Sequence, residues 1–149
     1  MSDAKTARLA LPMLAAGQAQ KEVTHNEALV LIDSLLAPTS QGVPQNAAPP
    51  APASGQCWLV GGAPTGLWAG RAHALASWTE AGWRFVDLPV GSEVLVASNG
   101  QRWRRISTGW QAPTAIAPAN AGPVIDAECR AVLAQLINAL AARGIVMAG

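Results

Sequence analysis

The fold is decided by the stretch Leu75-Ala76-Ser77-Trp78-Thr79-Glu80-Ala81-Gly82-Trp83-Arg84-Phe85-Val86. Two short runs that suit β-strands flank residues 79–82, which have the composition of a four-residue hairpin turn. In such a hairpin Trp78 and Trp83 face each other on neighbouring strands, where an aromatic pair is stabilising. The stretch therefore predicts an antiparallel hairpin that carries a tryptophan pair.

A second hairpin is predicted downstream. Residues 93–97 and 101–106 form two strand-like runs around Asn99-Gly100. Asn-Gly is the strongest short hairpin signal, because both residues tolerate a positive φ. The alternation fails after Trp103, since Ile106 has the wrong parity, and this allows a bulge there. Upstream, residues 56–60 predict a short strand that is apolar on both faces.

The tryptophans are confined to the middle third of the chain, which holds six of them and no tyrosine. A weak repeat accompanies them, because residues 79–83 resemble residues 106–110 and residues 65–68 form a looser third copy. The pattern predicts a meander of short strands, each adding one tryptophan to a shared core. The alternative is that the rings form a stacking platform for a ligand. The six are Trp58, Trp68, Trp78, Trp83, Trp103 and Trp110.

A helix is predicted on the N-terminal side of the tryptophan-rich module. Thr24, with Glu27 three residues later, forms a capping box in which each side chain satisfies an N–H at the helix start. The helix continues to about residue 36, with Asn26 and Asp33 on its polar face. Its apolar face consists of Ala28, Leu29, Ile32, Leu35 and Leu36.

A second helix is predicted on the C-terminal side. Asp126 suits the N-cap position, and Gly144 suits the position that follows the last turn. Ile145 can then fold back onto Leu140, as a Schellman ending requires. The helix is too short to be stable alone, so it must pack on the β module or on copies of itself. Its apolar stripe consists of Val132, Leu133, Leu136, Ile137 and Leu140.

These elements predict an α+β protein, in which a small antiparallel meander or partial barrel carries a helix at each end. The segments are an arm and helix (1–36), a Pro-rich linker (37–55), the β module (56–110), a second Pro/Ala linker (111–123) and the C-terminal helix (124–149). Residues 37–55 contain five prolines and no charge, which favours an extended backbone. That segment is either a disordered linker or an arm laid along a neighbouring subunit.

The low charge of the chain bears on its partners. Charged residues make up 13% of the sequence, against a usual value of roughly 25%, and the net charge is +1. Such a surface favours burial against copies of the same chain, as a trimer or a pentamer. It gives no general field for nucleic acid. We expect the oligomer interface at Leu133, Leu136, Ile137 and Leu140.

No pattern predicts catalysis, a cofactor or a metal. His25 and His73 are the only histidines, and no Cys/His cluster has metal-ligand spacing. The carboxylates of the β module are Glu80, Asp87 and Glu93, and nothing places a second one opposite Glu80 as a glycosidase needs. We therefore expect no enzyme, no cofactor and no metal site. We also expect no membrane span and no signal peptide.

Ligand binding is the alternative to a purely structural role. Tryptophan rings stack on sugars and on bases, and several arginines lie near them in sequence. Trp68 lies in a Gly-rich loop and is the best candidate for an exposed platform. In this alternative a polysaccharide binds to Trp68, Arg71 and Trp110. Cys57 and Cys129 are expected to be free thiols, both buried.

Part of the sequence resembles an uncharacterised domain family, domain of unknown function 2793. The resemblance is carried by Gly17-Gln18-Ala19-Gln20-Lys21 and Thr24-His25-Asn26-Glu27, within residues 11–29. Residues 66–70, 82–85 and 126–144 also resemble family members. In the region of residues 37–55 those members usually carry a strand-like apolar stretch, where this chain has prolines.

The family occurs in prophage and gene-transfer-agent clusters of bacteria. The resemblance therefore implies a structural part of a phage-like particle, in a head spike or a tail fibre. Its partners would be capsid, spike or tail proteins, and it would be located in a virion or gene-transfer-agent particle assembled in the bacterial cytoplasm. The family supplies no catalytic residues that could be assigned to this chain.

Overall fold

The computed structural model describes residues 4–14, 21–116 and 126–148. These residues form two helices and a seven-stranded, mostly antiparallel open sheet, which confirms the predicted α+β class with a helix at each end. A short 3-10 turn covers Gly66–Trp68. The helices and strands are α1 (Lys21–Leu35), β1 (Thr39–Ser40), β2 (Cys57–Leu59), β3 (Leu75–Thr79), β4 (Gly82–Val86), β5 (Glu93–Val96), β6 (Gln101–Ile106), β7 (Gly109–Gln111), β8 (Ala115–Ile116), α2 (Ala127–Ala142) and β9 (Met147–Ala148).

The sheet consists of two similar halves on either side of a central strand. The strand order is β4-β3-β2-β1-β5-β6-β7, and β1 runs parallel to both β2 and β5. We call β2–β4 the first meander and β5–β7 the second meander. Each is a run of three antiparallel strands. Hairpins join β3 to β4, β5 to β6 and β6 to β7, whereas residues 60–74 connect β2 to β3. The sequence echo between residues 79–83 and 106–110 therefore marks the same hairpin in each half.

The two predicted hairpins are present. Trp78 is directly opposite Trp83, and their ring centroids are 5.0 Å apart in an edge-to-face arrangement. The Asn99-Gly100 turn joins β5 to β6, with Gly100 at φ 69°. The pairing of β6 runs without interruption from residue 101 to residue 106, so the bulge allowed by the sequence after Trp103 is not formed.

The segment 37–55 is not the linker that its prolines suggested, because β1 lies within it. The extended backbone was predicted correctly, but it occupies the middle of the chain's own sheet. Gln41 N donates to the Cys57 carbonyl and Ala97 N donates to the Ser40 carbonyl, both at 2.8 Å. Pro38 lies next to the strand and has no N–H to donate, but only its carbonyl is used in the sheet. This carbonyl accepts from Leu95 N at 3.0 Å.

The core is split between two clusters instead of the single shared tryptophan core that we predicted. Side chains alternate along β2, so Trp58 belongs to one cluster and Leu59 to the other. This confirms that the strand is apolar on both faces. The aromatic cluster consists of Trp58, Val60, Trp68, Ala74 and Ala76 with Trp78, Trp83 and Phe85 against them. The aliphatic cluster consists of Cys57, Leu59, Leu75, Val94 and Val96 with Leu35, Leu88, Trp103 and Trp110.

Helix α1 lies on the body with a face that only partly matches the predicted one, because Leu35 packs against the aliphatic cluster but the polar Asp33 is buried as well. Asp33 is 3% exposed, whereas Ile32 and Leu36 are 45% and 63% exposed. The reason is the N-terminal arm (residues 4–14), whose backbone N–H groups at Arg8 and Leu9 donate to the Asp33 carboxylate at 2.9 and 2.6 Å. The helix also includes Lys21, so Thr24 lies inside it and the predicted capping box is wrong.

Helix α2 has the predicted ends. Cys129 N donates to the Asp126 side chain at 2.9 Å, which confirms the N-cap. Gly144 has φ 68°, and Ile145 N donates to the Leu140 carbonyl at 3.1 Å, as in a Schellman ending. Beyond it, β9 pairs in parallel with β8, a strand inside the segment predicted as the second linker. The other residues of that linker, 117–123, lie outside the described residues.

Candidate functional site

A groove of about 680 Å³ lies between the N-terminal arm, α1 and the β3–β4 hairpin. The hairpin contributes Trp78 to one wall, and α1 contributes Glu27 and Asp33. The size is within the usual range for sites that hold small ligands. No sequence pattern marks this groove, because four separate segments build it: the arm, α1, residues 54–55 and the hairpin.

The arm forms a compact turn that closes one side of the groove. Thr6 N donates to the Leu11 carbonyl and Met13 N donates to the Ala4 carbonyl, both at 3.0 Å. The Asn26 side chain accepts from Leu14 N and donates back to the Leu14 carbonyl. The arm is therefore held to α1 at the far end of the turn as well as at Asp33.

The guanidinium of Arg8 fixes the arm to the C-terminal end of α1. It donates to the carbonyls of Asp33 and Ser34 at 2.9 and 3.0 Å and also to the carbonyl of Ala37. These carbonyls lie at the helix end, where the last turn leaves acceptors without helical partners and where a cation is favourable. Since arm N–H groups already occupy both oxygens of Asp33, that carboxylate has a structural role.

The floor of the groove is polar and buried. Ser34 Oγ and Ser77 Oγ are 3.0 Å apart and join α1 to β3. The Cys57 thiol lies beside this pair. Burial raises the pKa of Cys57 above its ordinary value, although hydrogen bonding to Ser77 and the charge of Arg8 act in the opposite direction. The neutral thiol is therefore the native form, and it is a poor nucleophile.

The rim of the groove carries the charges. Arg84 Nη2 lies 3.3 Å from Glu27 Oε1, which links β4 to α1. Both side chains are partly exposed, so the pair adds little stability and remains open to exchange with a ligand. Glu80 lies at the hairpin tip, as predicted, and is exposed. Trp78 is opposite Trp83 and packs in the aromatic cluster, so its indole lies on the other face of the sheet from Arg84. The groups that the rim offers to a ligand are therefore charged and amide side chains, which can bind hydroxyl groups.

The ligand site predicted from sequence is not assembled. Trp68 is fully buried, so the interpretation of this side chain as an exposed platform is wrong. The Arg71 guanidinium lies over the Phe85 ring, 5.3 Å from its centroid. Trp110 belongs to the aliphatic cluster, whereas Trp68 belongs to the aromatic one. In the loop that contains Trp68, Gly66 and Leu67 take the exposed positions. All six tryptophans are buried or half-buried.

The residues predicted for the oligomer interface all lie on α2. Leu133 and Leu136 are 44% and 54% exposed, and Ile137 and Leu140 are half-buried. None of the described residues of α2 is fully buried. The four side chains therefore lie on an open helix face. Their contact with another chain stays a prediction.

Both cysteines are free thiols, but only Cys57 is buried, and Cys129 is exposed on α2. Within residues 4–14, 21–116 and 126–148, no three His, Cys, Asp or Glu side chains come together in a way that could hold a metal ion. Over the same ranges, neither helix has the length and apolar character that crossing a membrane requires.

No curated protein and no solved structure matches the chain. Residues 25–111 match the family described as "Protein of unknown function (DUF2793)". The match spans the last part of the first helix and both meanders, and it includes the Pro-rich segment. It leaves out the arm and α2, so the resemblance at residues 126–144 lies beyond it. Since more than half of the chain is matched, the protein belongs to the DUF2793 family.

Proposed function

We propose that this protein is a structural component of a phage-like particle, a head spike or the base or attachment part of a tail fibre. It acts by homo-oligomerisation and by docking to other particle proteins. The observation that supports this is the presence of open apolar faces on both helices, outside a sheet that already buries its own core.

The contrast between the sheet and the helices supports an assembly role. The two clusters of the sheet are buried without help from any other chain. Large apolar side chains nevertheless remain exposed along the helices, and a surface of this kind usually marks a contact with another protein. The exposed members are Val23, Leu31, Ile32 and Leu36 on or next to α1 and Val132, Leu133 and Leu136 on α2.

The family supports the particle itself as the location. DUF2793 is a family of unknown function. The occurrence of family members in prophage and gene-transfer-agent clusters is the reason for proposing a phage-like particle. A particle protein that is added in several copies needs self-complementary or ring-forming surfaces. The open helix faces fit that need.

Light scattering of the purified full chain tests the oligomeric part of the proposal. We expect a mass that is a multiple of 15.3 kDa and is stable on dilution. Leu136→Glu places a charge in the α2 stripe and should reduce the mass to that of one chain. Gln135→Glu adds the same charge beside the stripe and should leave the assembly intact. A wild-type monomer at working concentration contradicts the proposal.

Electron microscopy tests the particle part. Antibody against the protein should label phage-like particles purified from a producing strain, at either the capsid or the tail. Absence of the protein from such particles would remove this part of the proposal.

A carbohydrate-binding adhesion module is the second candidate, and the groove favours it. Its site would be the rim of the groove, where Glu27, Glu80 and Arg84 can bind sugar hydroxyl groups, because Trp68 is buried and the Trp78 ring packs in the aromatic cluster. A glycan array should show binding that is lost in Arg84→Ala and kept in Arg71→Ala, which changes an arginine outside the groove. If the wild-type protein binds no glycan, only the structural role remains.

A further inference from the structure

The two apolar helix faces of one chain do not cover each other. The α1 stripe (Ala28, Leu31, Ile32 and Leu36) and the α2 stripe (Val132, Leu133, Leu136 and Leu140) both follow the spacing of three and four residues that forms one helix face. With both helices in place, Ile32 remains 45% exposed and Leu136 remains 54% exposed. Each stripe therefore still needs an apolar partner.

The anchors of the helices explain why the two stripes stay apart. Helix α1 is held over the first meander, where Ser34 contacts Ser77 and Glu27 contacts Arg84. Helix α2 is held at its C-terminal end by the second meander, because Arg102 N donates to the Gly144 carbonyl at 3.1 Å. A Cβ at Gly144 would collide with the backbone of Gly100, so this contact requires glycine.

The stripes match each other in length and chemistry. Helices α1 and α2 contain 15 and 16 residues, which corresponds to about 23 Å each at 1.5 Å per residue. Helix α1 carries one lysine and three carboxylates, whereas α2 with its two caps, Asp126 and Arg143, carries two arginines and two carboxylates. Helix α1 is therefore net negative and α2 is neutral, so packing α1 against α2 avoids the like-charge repulsion that two copies of α1 would have.

The number of stripes that each chain covers favours pairing between unlike helices. Whichever helices pair, one contact joins one stripe to one stripe. Pairing α2 with α2 would use only one of the two stripes and leave α1 open. Pairing α1 with α2 of the next copy uses both stripes of every chain, and such a head-to-tail contact closes into a ring when the rotation allows.

We propose that the α1 stripe of one copy packs against the α2 stripe of the next copy, so that the chains form a closed ring. This inference rests on the proposed homo-oligomeric function and specifies its interface. Residues 25–35 of α1 lie inside the family match and α2 lies outside it, so the contact would join an element within the match to one beyond it.

Mixing two variants tests the pairing. Ile32→Glu blocks the α1 stripe, and Leu136→Glu blocks the α2 stripe. By light scattering, each variant alone should have the mass of one chain. An equimolar mixture should double that mass, because the intact α1 stripe of one variant then packs against the intact α2 stripe of the other. The two blocked stripes prevent ring closure. Circular dichroism of each variant checks that the helices are retained.

The other outcomes separate the two proposals. If Ile32→Glu assembles like the wild type while Leu136→Glu does not, α2 pairs with α2. The inference is then overturned, and homo-oligomerisation survives. If both variants are monomeric and the mixture stays monomeric, the pairing of unlike stripes is wrong. If the wild-type chain is itself monomeric, both the inference and the oligomeric function fail.

Discussion

The two meanders have the same strand order but different interiors. In the first, Trp83 contacts Trp58, Trp68 and Trp78 at 5.4, 5.2 and 5.0 Å between ring centroids. In the second, the equivalent Trp110 is opposite Arg105 and packs half-buried among aliphatic side chains. The repeat therefore preserves the backbone of the hairpin, whereas its tryptophan enters a different cluster in each half: the aromatic cluster for Trp83, and for Trp110 the aliphatic cluster, to which both meanders contribute.

The difference also separates stability from assembly. The first meander carries the aromatic cluster and the contacts of α1, so it holds much of the packing within the chain. The second meander anchors the end of α2, whose apolar stripe is open. A change in the first meander should mainly affect folding, and a change at the α2 stripe should mainly affect association.

Removing one tryptophan from each meander should give the largest effects and the clearest contrast. Trp83→Ala should lower the free energy of unfolding by about 4 kcal/mol, since large-to-small changes of packed aromatic residues cost this much and the Trp83 ring contacts three other indoles. Trp110→Ala should cost about half as much, because its ring, although half-buried like that of Trp83, has no aromatic contact of the kind that Trp83 makes. Urea unfolding measures both values. Equal losses would show that the two interiors contribute alike.

Substitution of the glycine that begins the third strand of each meander should give the next largest difference in stability. Gly82 and Gly109 both lie at positive φ, at 102° and 145°. Alanine at either position should cost about 1–2 kcal/mol of backbone strain. Gly109→Ala should cost more, because its Cβ would lie 3.1 Å from the ring of His73, while the space at Gly82 is open. Thermal unfolding of the two variants checks the order, and a larger loss at Gly82 would contradict it.

Changes at the two cysteines should have the smallest effect on stability, whereas the reactivity of the two thiols should differ strongly. Iodoacetamide should modify Cys129 in the native protein and leave Cys57 unmodified, and mass spectrometry should show one label per chain. Two labels should appear only after denaturation. Rapid native labelling of Cys57 would mean that the region around the groove floor opens in solution.

The pKa of Cys57 adds a pH dependence. Burial raises it above the ordinary value of 9.0, so the unfolded thiol ionises at a lower pH than the native one. The contribution of Cys57 to the free energy of unfolding is complete below about pH 9. It declines as the pH rises above this value, by at most about 1.4 kcal/mol per pH unit. Cys57→Ala should remove this part of the decline. Identical pH profiles for both proteins would contradict the shift.

Local patterns predicted the parts of the fold that depend on neighbouring residues. The Trp78–Trp83 hairpin, the Asn99-Gly100 turn and the ends of α2 follow from turn chemistry and capping, which involve a few adjacent residues. The positions of β1 and the arm did not follow, because both depend on partners far away in the sequence. The groove could not be predicted for the same reason.

The inward face of α1 shows where sequence reasoning reached its limit. The sequence by itself determined that a helix reaching about residue 36 carries an apolar stripe, that two hairpins follow, and that a later helix is capped at Asp126 and Gly144. Only the tertiary structure decided that the arm buries Asp33 and turns the stripe outward, and that the Pro-rich segment supplies the central strand. The physical reason is that hydrogen bonds between distant segments satisfied buried polar groups, and this outweighed the preference of one helix face for burial.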